Sequence, residues 1–253
     1  MTDDSIWFRR FRPAEPAAPR LVCFPHAGGA ASFFAPMSRA LAPGIDVYAV
    51  QYPGRHDRHG EPCLDDIAVL ADRLHSAMAG WDPRPLALFG HSMGAIVAYE
   101  VARRLRRDNP GLPLHLFASG RRAPHRLRPD SAPPRDDAGI IAELRRLGGT
   151  DAALLDEPGI LEMILPALRS DYRAVQTYRW KPGGPPPCPV TVLTGDRDPH
   201  TTIEEARDWE RHSQEPFAVR VFPGGHFFLL DHAPAVLTVI RDQLAVPQNR
   251  RTA

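Results

Sequence analysis

Apolar residues fall along this chain in two alternating rhythms. Short, largely apolar runs at 21–24, 45–50, 86–89, 114–118 and 190–194 read as strands, and 21–24, apolar throughout, has the character of a strand buried on both faces. Between them the spacing turns helical. Phe33, Phe34, Met37 and Leu41 share one face, as do Leu64, Ile67, Leu70, Ala71, Leu74 and Met78, and then Ile96, Val97, Val101 and Leu105. A weak alternation over 6–11 predicts an edge strand. A helix near 202–212, a strand over 217–222 and a helix over 234–244 complete the series, and 247–253 reads as a tail. Strands alternating with helices predict right-handed crossovers and a mostly parallel sheet. The alternation fails after Ser119. Residues 121–187 carry no strand pattern, only a basic, proline-rich opening and helical stretches near 138–147 and 158–178, followed by a proline-glycine connector over 181–189. The expected architecture is one domain, 1–253, with a helical lid inserted at approximately 121–187.

Composition narrows the function classes. A 253-residue chain with 43% apolar and 24% charged residues can bury a substantial core. A net charge of +1 argues against a nucleic-acid or membrane-surface protein. Three cysteines, without metal-ligand spacing, point to buried thiols, Cys23 above all, and to a reducing compartment. The acidic start, Met1-Thr2-Asp3-Asp4, leads into no long apolar run, so a cytoplasmic protein without signal peptide or membrane span is expected.

The chemistry concentrates at Gly90-His91-Ser92-Met93-Gly94, between an apolar run and a helical one. That strand–turn–helix context is what a G-x-S-x-G nucleophile elbow requires. The glycines permit the tight turn, and the amides of the following helix face developing negative charge near the Ser92 hydroxyl. A serine needs a base to take its proton. Of the 11 histidines, His226 in Gly224-Gly225-His226-Phe227 follows the last strand, where an α/β-hydrolase carries its base; His232 is the reserve, and His91 is read as structural. The carboxylate that orients the base belongs in Thr194-Gly195-Asp196-Arg197-Asp198-Pro199. Asp198 is favoured, with Asp196 as the residue that caps or braces the turn. Two amides should receive the oxyanion: that of Met93, and that of Ala27 in the loop His26-Ala27-Gly28-Gly29. The plain alternative for that loop is a glycine-rich link. Arg103, Arg104, Arg106 and Arg107 read as a solvated helix face. Arg121, Arg122, Arg126 and Arg128 read as a solvated basic loop, or alternatively as a landing place for an acidic partner.

Taken together, Phe24-Pro25-His26-Ala27-Gly28-Gly29, Tyr52-Pro53-Gly54-Arg55, the elbow, Ser119-Gly120-Arg121, Gly195-Asp196-Arg197-Asp198-Pro199, Gly225-His226-Phe227 and Asp171-Tyr172-Arg173 resemble the type II thioesterases, over essentially the whole chain. These are stand-alone α/β-hydrolases that accompany modular polyketide and nonribosomal peptide synthetases. The resemblance implies hydrolysis of stalled or aberrant acyl groups from the phosphopantetheine arm of carrier domains. In it Ser92 is the nucleophile, His226 the base, Asp198 the acid, and Ala27 and Met93 the oxyanion hole. It implies no metal or cofactor, since phosphopantetheine arrives with the substrate, and a carrier protein as partner. A monomer is the default expectation. Rival readings are a general carboxylesterase, an acyltransferase or cyclase, and a hydrolase fold used only for binding.

Overall fold

The computed structural model describes residues 6–126, 136–149, 156–184 and 187–245. Seven strands form one sheet: β1 (Phe8–Arg9), β2 (Arg20–Phe24), β3 (Asp46–Val50), β4 (Leu86–His91), β5 (Leu114–Ser119), β6 (Pro189–Gly195) and β7 (Gln214–Phe222). Their order is β1-β3-β2-β4-β5-β6-β7. Only β1 runs antiparallel, pairing Phe8 with Val50; every other pairing is parallel. The predicted edge strand over 6–11 thus shrinks to two paired residues.

The unbroken apolar runs have the expected reason. Along β2, Val22 and Phe24 enter the core on one side of the sheet, while Leu21 and Cys23 enter the core on the other. The first side is covered by α2 (Ile67–Ala77) and α3 (Met93–Asp108). The second is covered by α1 (Ala35–Leu41) and α8 (Ala233–Ala245), through Leu41, Val236 and Ile240. Asp66 caps α2 by accepting from the amides of Ala68 and Val69 at 2.7 and 3.0 Å. That cap explains why the helix begins at Ile67 rather than Leu64.

Between β5 and β6, among the described residues, there is no strand. There are two helices, α4 (Asp137–Leu147) and α5 (Pro158–Thr177), with a small core of their own around Ile140, Leu165 and Leu168. The helix expected over 202–212 divides into α6 (Ile203–Arg207) and a 3-10 turn, Asp208–His212. A one-turn helix, α7 (Phe228–Asp231), follows His226 and has no counterpart in the periodicity.

The arginine-rich stretch of α3 is a correction to the sequence reading. Arg104 ion-pairs with Asp72 of α2 at 2.7 Å and with Glu100 at 3.0 Å, Arg103 pairs with Glu100, and Arg106 donates to the carbonyls of Pro187 and Pro110. Only Arg107 is fully exposed. Side chains long enough to lay their stems along the helix fasten α3 to its neighbours rather than merely solvating it.

Candidate active site

Four loops at the C-terminal ends of parallel strands converge on one point, the usual location of a ligand in a sheet of this kind. The loop after β4 carries Ser92, with φ +55° and ψ −116°, a backbone conformation rare for any residue with a side chain. Its amide donates to the Ser119 carbonyl at 2.8 Å, tying the elbow to β5. The glycines on either side are dictated by space. A Cβ on Gly90 would overlap the Gly94 carbonyl, and one on Gly94 would overlap the carbonyl of Phe24. We therefore expect Gly94→Ala to lower folding stability by about 3 kcal/mol, the cost of overpacking against backbone that cannot yield, as read from urea denaturation.

The loops after β6 and β7 bring the acid and base together. His226 Nδ1 lies 2.9 Å from Asp198 Oδ2, with both side chains buried. The other oxygen of Asp198 accepts from the His200 amide at 2.8 Å. Asp196 has a different place. Its Oδ1 accepts from the Gly224 amide at 2.8 Å, bracing the β6 loop against the β7 loop. His232 donates to the Pro223 carbonyl at 2.8 Å and takes no part in the cluster.

Ser92 and His226 open on one cavity of about 320 Å³, and Ala27 and Met93 line it as well. Met93 is the first residue of α3, where amides have no partner within the helix. Ala27 sits in a turn closed by the Gly29 amide on the His26 carbonyl at 2.9 Å, with Gly28 at φ +76°. The far wall belongs to the helices between β5 and β6: Leu144, Leu147, Tyr172 and Val175 face the cavity, beside Phe227.

Three further imidazoles lie close, among them His200 at 5.1 Å from the His226 ring. The His91 ring is 4.9 Å from that of His226, and His26 is 5.9 Å from His91. Burial, with His226 and Arg55 adding to it, holds His26 down at about 3. Burial, then His226 and His26, lowers His91 well below its ordinary value. His91 Nδ1 meets Ser119 Oγ at 3.0 Å, a structural bond as the sequence suggests. Of the four rings, His226 and His200 have carboxylate partners, Asp198 and Glu143.

The basic opening of the insertion is a second correction. Arg121 and Arg122 do not lie on a solvated loop but line the cavity. Trp209 donates to the Arg121 carbonyl at 2.8 Å, and Arg122 donates to the His200 carbonyl at 3.3 Å. Burial, with Arg122 beside it, brings the Arg121 guanidinium down to about 9, still charged at neutral pH. Arg126 is exposed and ion-paired with Asp208; Arg128 lies outside the described residues.

Periodicity gave no sign of other cavity residues. Glu143 on α4 meets His200 Nε2 at 2.6 Å and Arg146 at 2.7 Å, clasping the helix to the loop that carries Asp198. Only the nearness of His200 to Asp198 in sequence could have flagged this. Among the described residues no group of acidic, histidine or cysteine side chains could hold a metal ion, and no helix is long and apolar enough to cross a membrane.

This sheet order, with a serine on a strained strand-to-helix turn and a buried His–Asp pair beside it, is the α/β-hydrolase fold. The protein-family model for the thioesterase domain matches residues 19–244. The probable cadicidin biosynthesis thioesterase of Streptomyces griseus is 52% identical over 94% of this chain, which spans 66% of that protein's length. Thioesterase PikA5 of Streptomyces venezuelae is 46% identical over 96% of this chain and 87% of its own length. The solved structure of BorB, the type II thioesterase from the borrelidin biosynthetic cluster, superposes with a TM-score of 0.87 at 47% identity, covering 94% of this chain and 98% of BorB. The chain belongs to the thioesterase family, among its type II members.

Proposed function

We propose that this protein hydrolyses acyl groups held as thioesters on the phosphopantetheine arm of carrier domains, releasing stalled or aberrant units from a modular synthase. The observation that carries the reading is the convergence of Ser92, His226, Ala27 and Met93 on one cavity, with Asp198 bonded behind His226. In this reading His226 Nε2 takes the Ser92 proton as Oγ attacks the thioester carbonyl. Asp198, on Nδ1, holds the ring in the required tautomer and stabilises its positive charge. The oxyanion receives the amides of Ala27 and Met93. The C–S bond then breaks and the thiolate takes the proton from His226. A thiol of pKa about 8.5 leaves far more readily than an alkoxide. Water, losing its proton to His226, attacks the acyl-serine and frees the acid and Ser92. No metal or redox cofactor enters any step.

The helices between β5 and β6 act as the lid, and the apolar side chains of Leu144, Leu147 and Phe227 receive the acyl group. The carrier domain is the partner, and the protein works as a cytoplasmic monomer. Because Arg121 and Arg122 line the cavity, they contact the bound substrate rather than the carrier's surface. The test is intact-mass spectrometry of a carrier domain loaded with propionyl-phosphopantetheine. The acyl mass should disappear on incubation with the protein. Survival of the acyl group while a simple oxygen ester is cleaved would replace this reading with that of a general carboxylesterase.

A further inference from the structure

One buried ion pair lies off the path of the reaction yet touches the turn that carries Ala27. Arg55, in the loop after β3, ion-pairs with Asp171 of α5, and their side chains are 5% and 1% exposed. The same Asp171 oxygen, Oδ2, accepts from the Gly28 amide at 2.7 Å. Arg55 is held in turn by donating to the Pro53 carbonyl at 2.6 Å and by lying 5.1 Å over the Tyr52 ring. Two donors thus converge on one oxygen of a carboxylate brought from a helix 143 residues beyond Gly28 in sequence.

The Gly28 amide is a sensitive place to hold. The His26–Gly29 hydrogen bond and the positive φ of Gly28 mark a type II turn. Type I and type II turns differ by a flip of their central peptide, here the one joining Ala27 to Gly28. Asp171 accepts from that peptide's N–H, so it favours type II; after a flip, the Ala27 carbonyl would face the carboxylate instead, and the turn, with the Ala27 N–H of the preceding peptide, would have to move away from it. The same helix limits the turn sterically, since a Cβ on Gly28 would overlap Leu168. Tyr172 and Val175, also on α5, form part of the cavity wall.

From this geometry we infer that Asp171, locked by Arg55, is a positioning residue through which α5 sets the oxyanion turn. The inference rests on the proposed roles of Ser92 and Ala27. A buried ion pair adds little stability beyond what apolar side chains of similar size supply. What this pair supplies instead is the acceptor that Asp171 presents to Gly28.

The test uses propionyl-N-acetylcysteamine, a small thioester without a carrier, so that docking plays no part. Asp171→Ala should lower kcat about 10²-fold, the scale of a displaced catalytic group, with KM little changed. The double variant Arg55→Met/Asp171→Leu removes both charges and fills the space. Its Tm should return to near that of wild type while kcat stays low, because no acceptor faces Gly28. Asp171→Asn preserves shape and one acceptor, and should fall between wild type and Asp171→Ala, which keeps the test open if either of the others folds poorly. Recovery of kcat together with Tm in the double variant, or a rise in KM at unchanged kcat, would overturn the inference. If wild type does not turn over this small thioester, the propionyl-loaded carrier domain is used in its place, and survival of the acyl group there is the result that fails the proposed function. The inference is then judged from the same variant ratios on whichever ester wild type does cleave.

Discussion

Ser92→Ala should abolish turnover of every ester the protein accepts, lowering kcat by about 10⁶-fold, the loss expected when a nucleophile that works as a unit with its base is removed. Fold and binding should be untouched. Alanine fits the space of the serine, and the elbow's hydrogen bonds come from backbone: Ser92 N to the Ser119 carbonyl, and Ala95 N to the Ser92 carbonyl. The serine's positive φ is as strained for alanine as for serine, so Tm changes little. Burst-phase and steady-state kinetics on one thioester, with Tm beside them, read both halves of this statement. A variant retaining a tenth of wild-type kcat would show that the bond-breaking nucleophile is another group. Covalent labelling by a fluorophosphonate should be lost in the same variant.

Asp198→Asn should cost about 10⁴-fold in kcat, because an amide facing Nδ1 favours the wrong imidazole tautomer and cannot stabilise the imidazolium. The neighbouring Asp196→Asn should leave kcat close to wild type. It keeps an oxygen for the Gly224 amide and touches neither Ser92 nor His226. The contrast matters because the two residues are separated only by Arg197. Equal losses at both positions would mean that the loop's shape, rather than the carboxylate on His226, governs activity.

Much of this fold is written in apolar rhythm. Runs such as 86–89 are unmistakable because a strand buried on both faces has nowhere to put a polar residue. The elbow is legible for a related reason: strain at Ser92 and crowding at Gly90 and Gly94 leave few residues possible. What periodicity cannot carry is distance between loops. Gly195-Asp196-Arg197-Asp198 offers two carboxylates; the sequence favours Asp198, one turn beyond the strand end and before a proline, but only the meeting of the β6 and β7 loops shows it on His226 and Asp196 on Gly224. Arg55 and Asp171 stand 116 positions apart, so no local pattern joins them. Arg121 and Arg122 read as surface residues because charge in a proline-rich loop ordinarily is. Trp209, packing beneath and bonding to the Arg121 carbonyl, turns that loop into cavity wall. Boundaries moved for local reasons, as at the Asp66 cap and at the change to 3-10 geometry after Arg207.

The placement of α4 and α5 has a topological consequence. They are inserted between β5 and β6, which are hydrogen-bonded neighbours, with Ser119 paired to Leu193 and the Gly120 amide on the Leu193 carbonyl at 2.9 Å. Because the two strands are parallel, the insertion leaves at the C-terminal end of β5 and crosses back to the N-terminal end of β6, where Val190 pairs with Leu116. Segments of very different length can make that crossover over the surface without shifting the register of a single strand. The segment that supplies Leu144, Leu147, Tyr172 and Val175 to the cavity wall is thus an exchangeable module, set on a frame that need not change. The graft has one constraint: a transplanted segment must return a carboxylate to the place of Asp171, or the frame receives a new pocket and an unset turn.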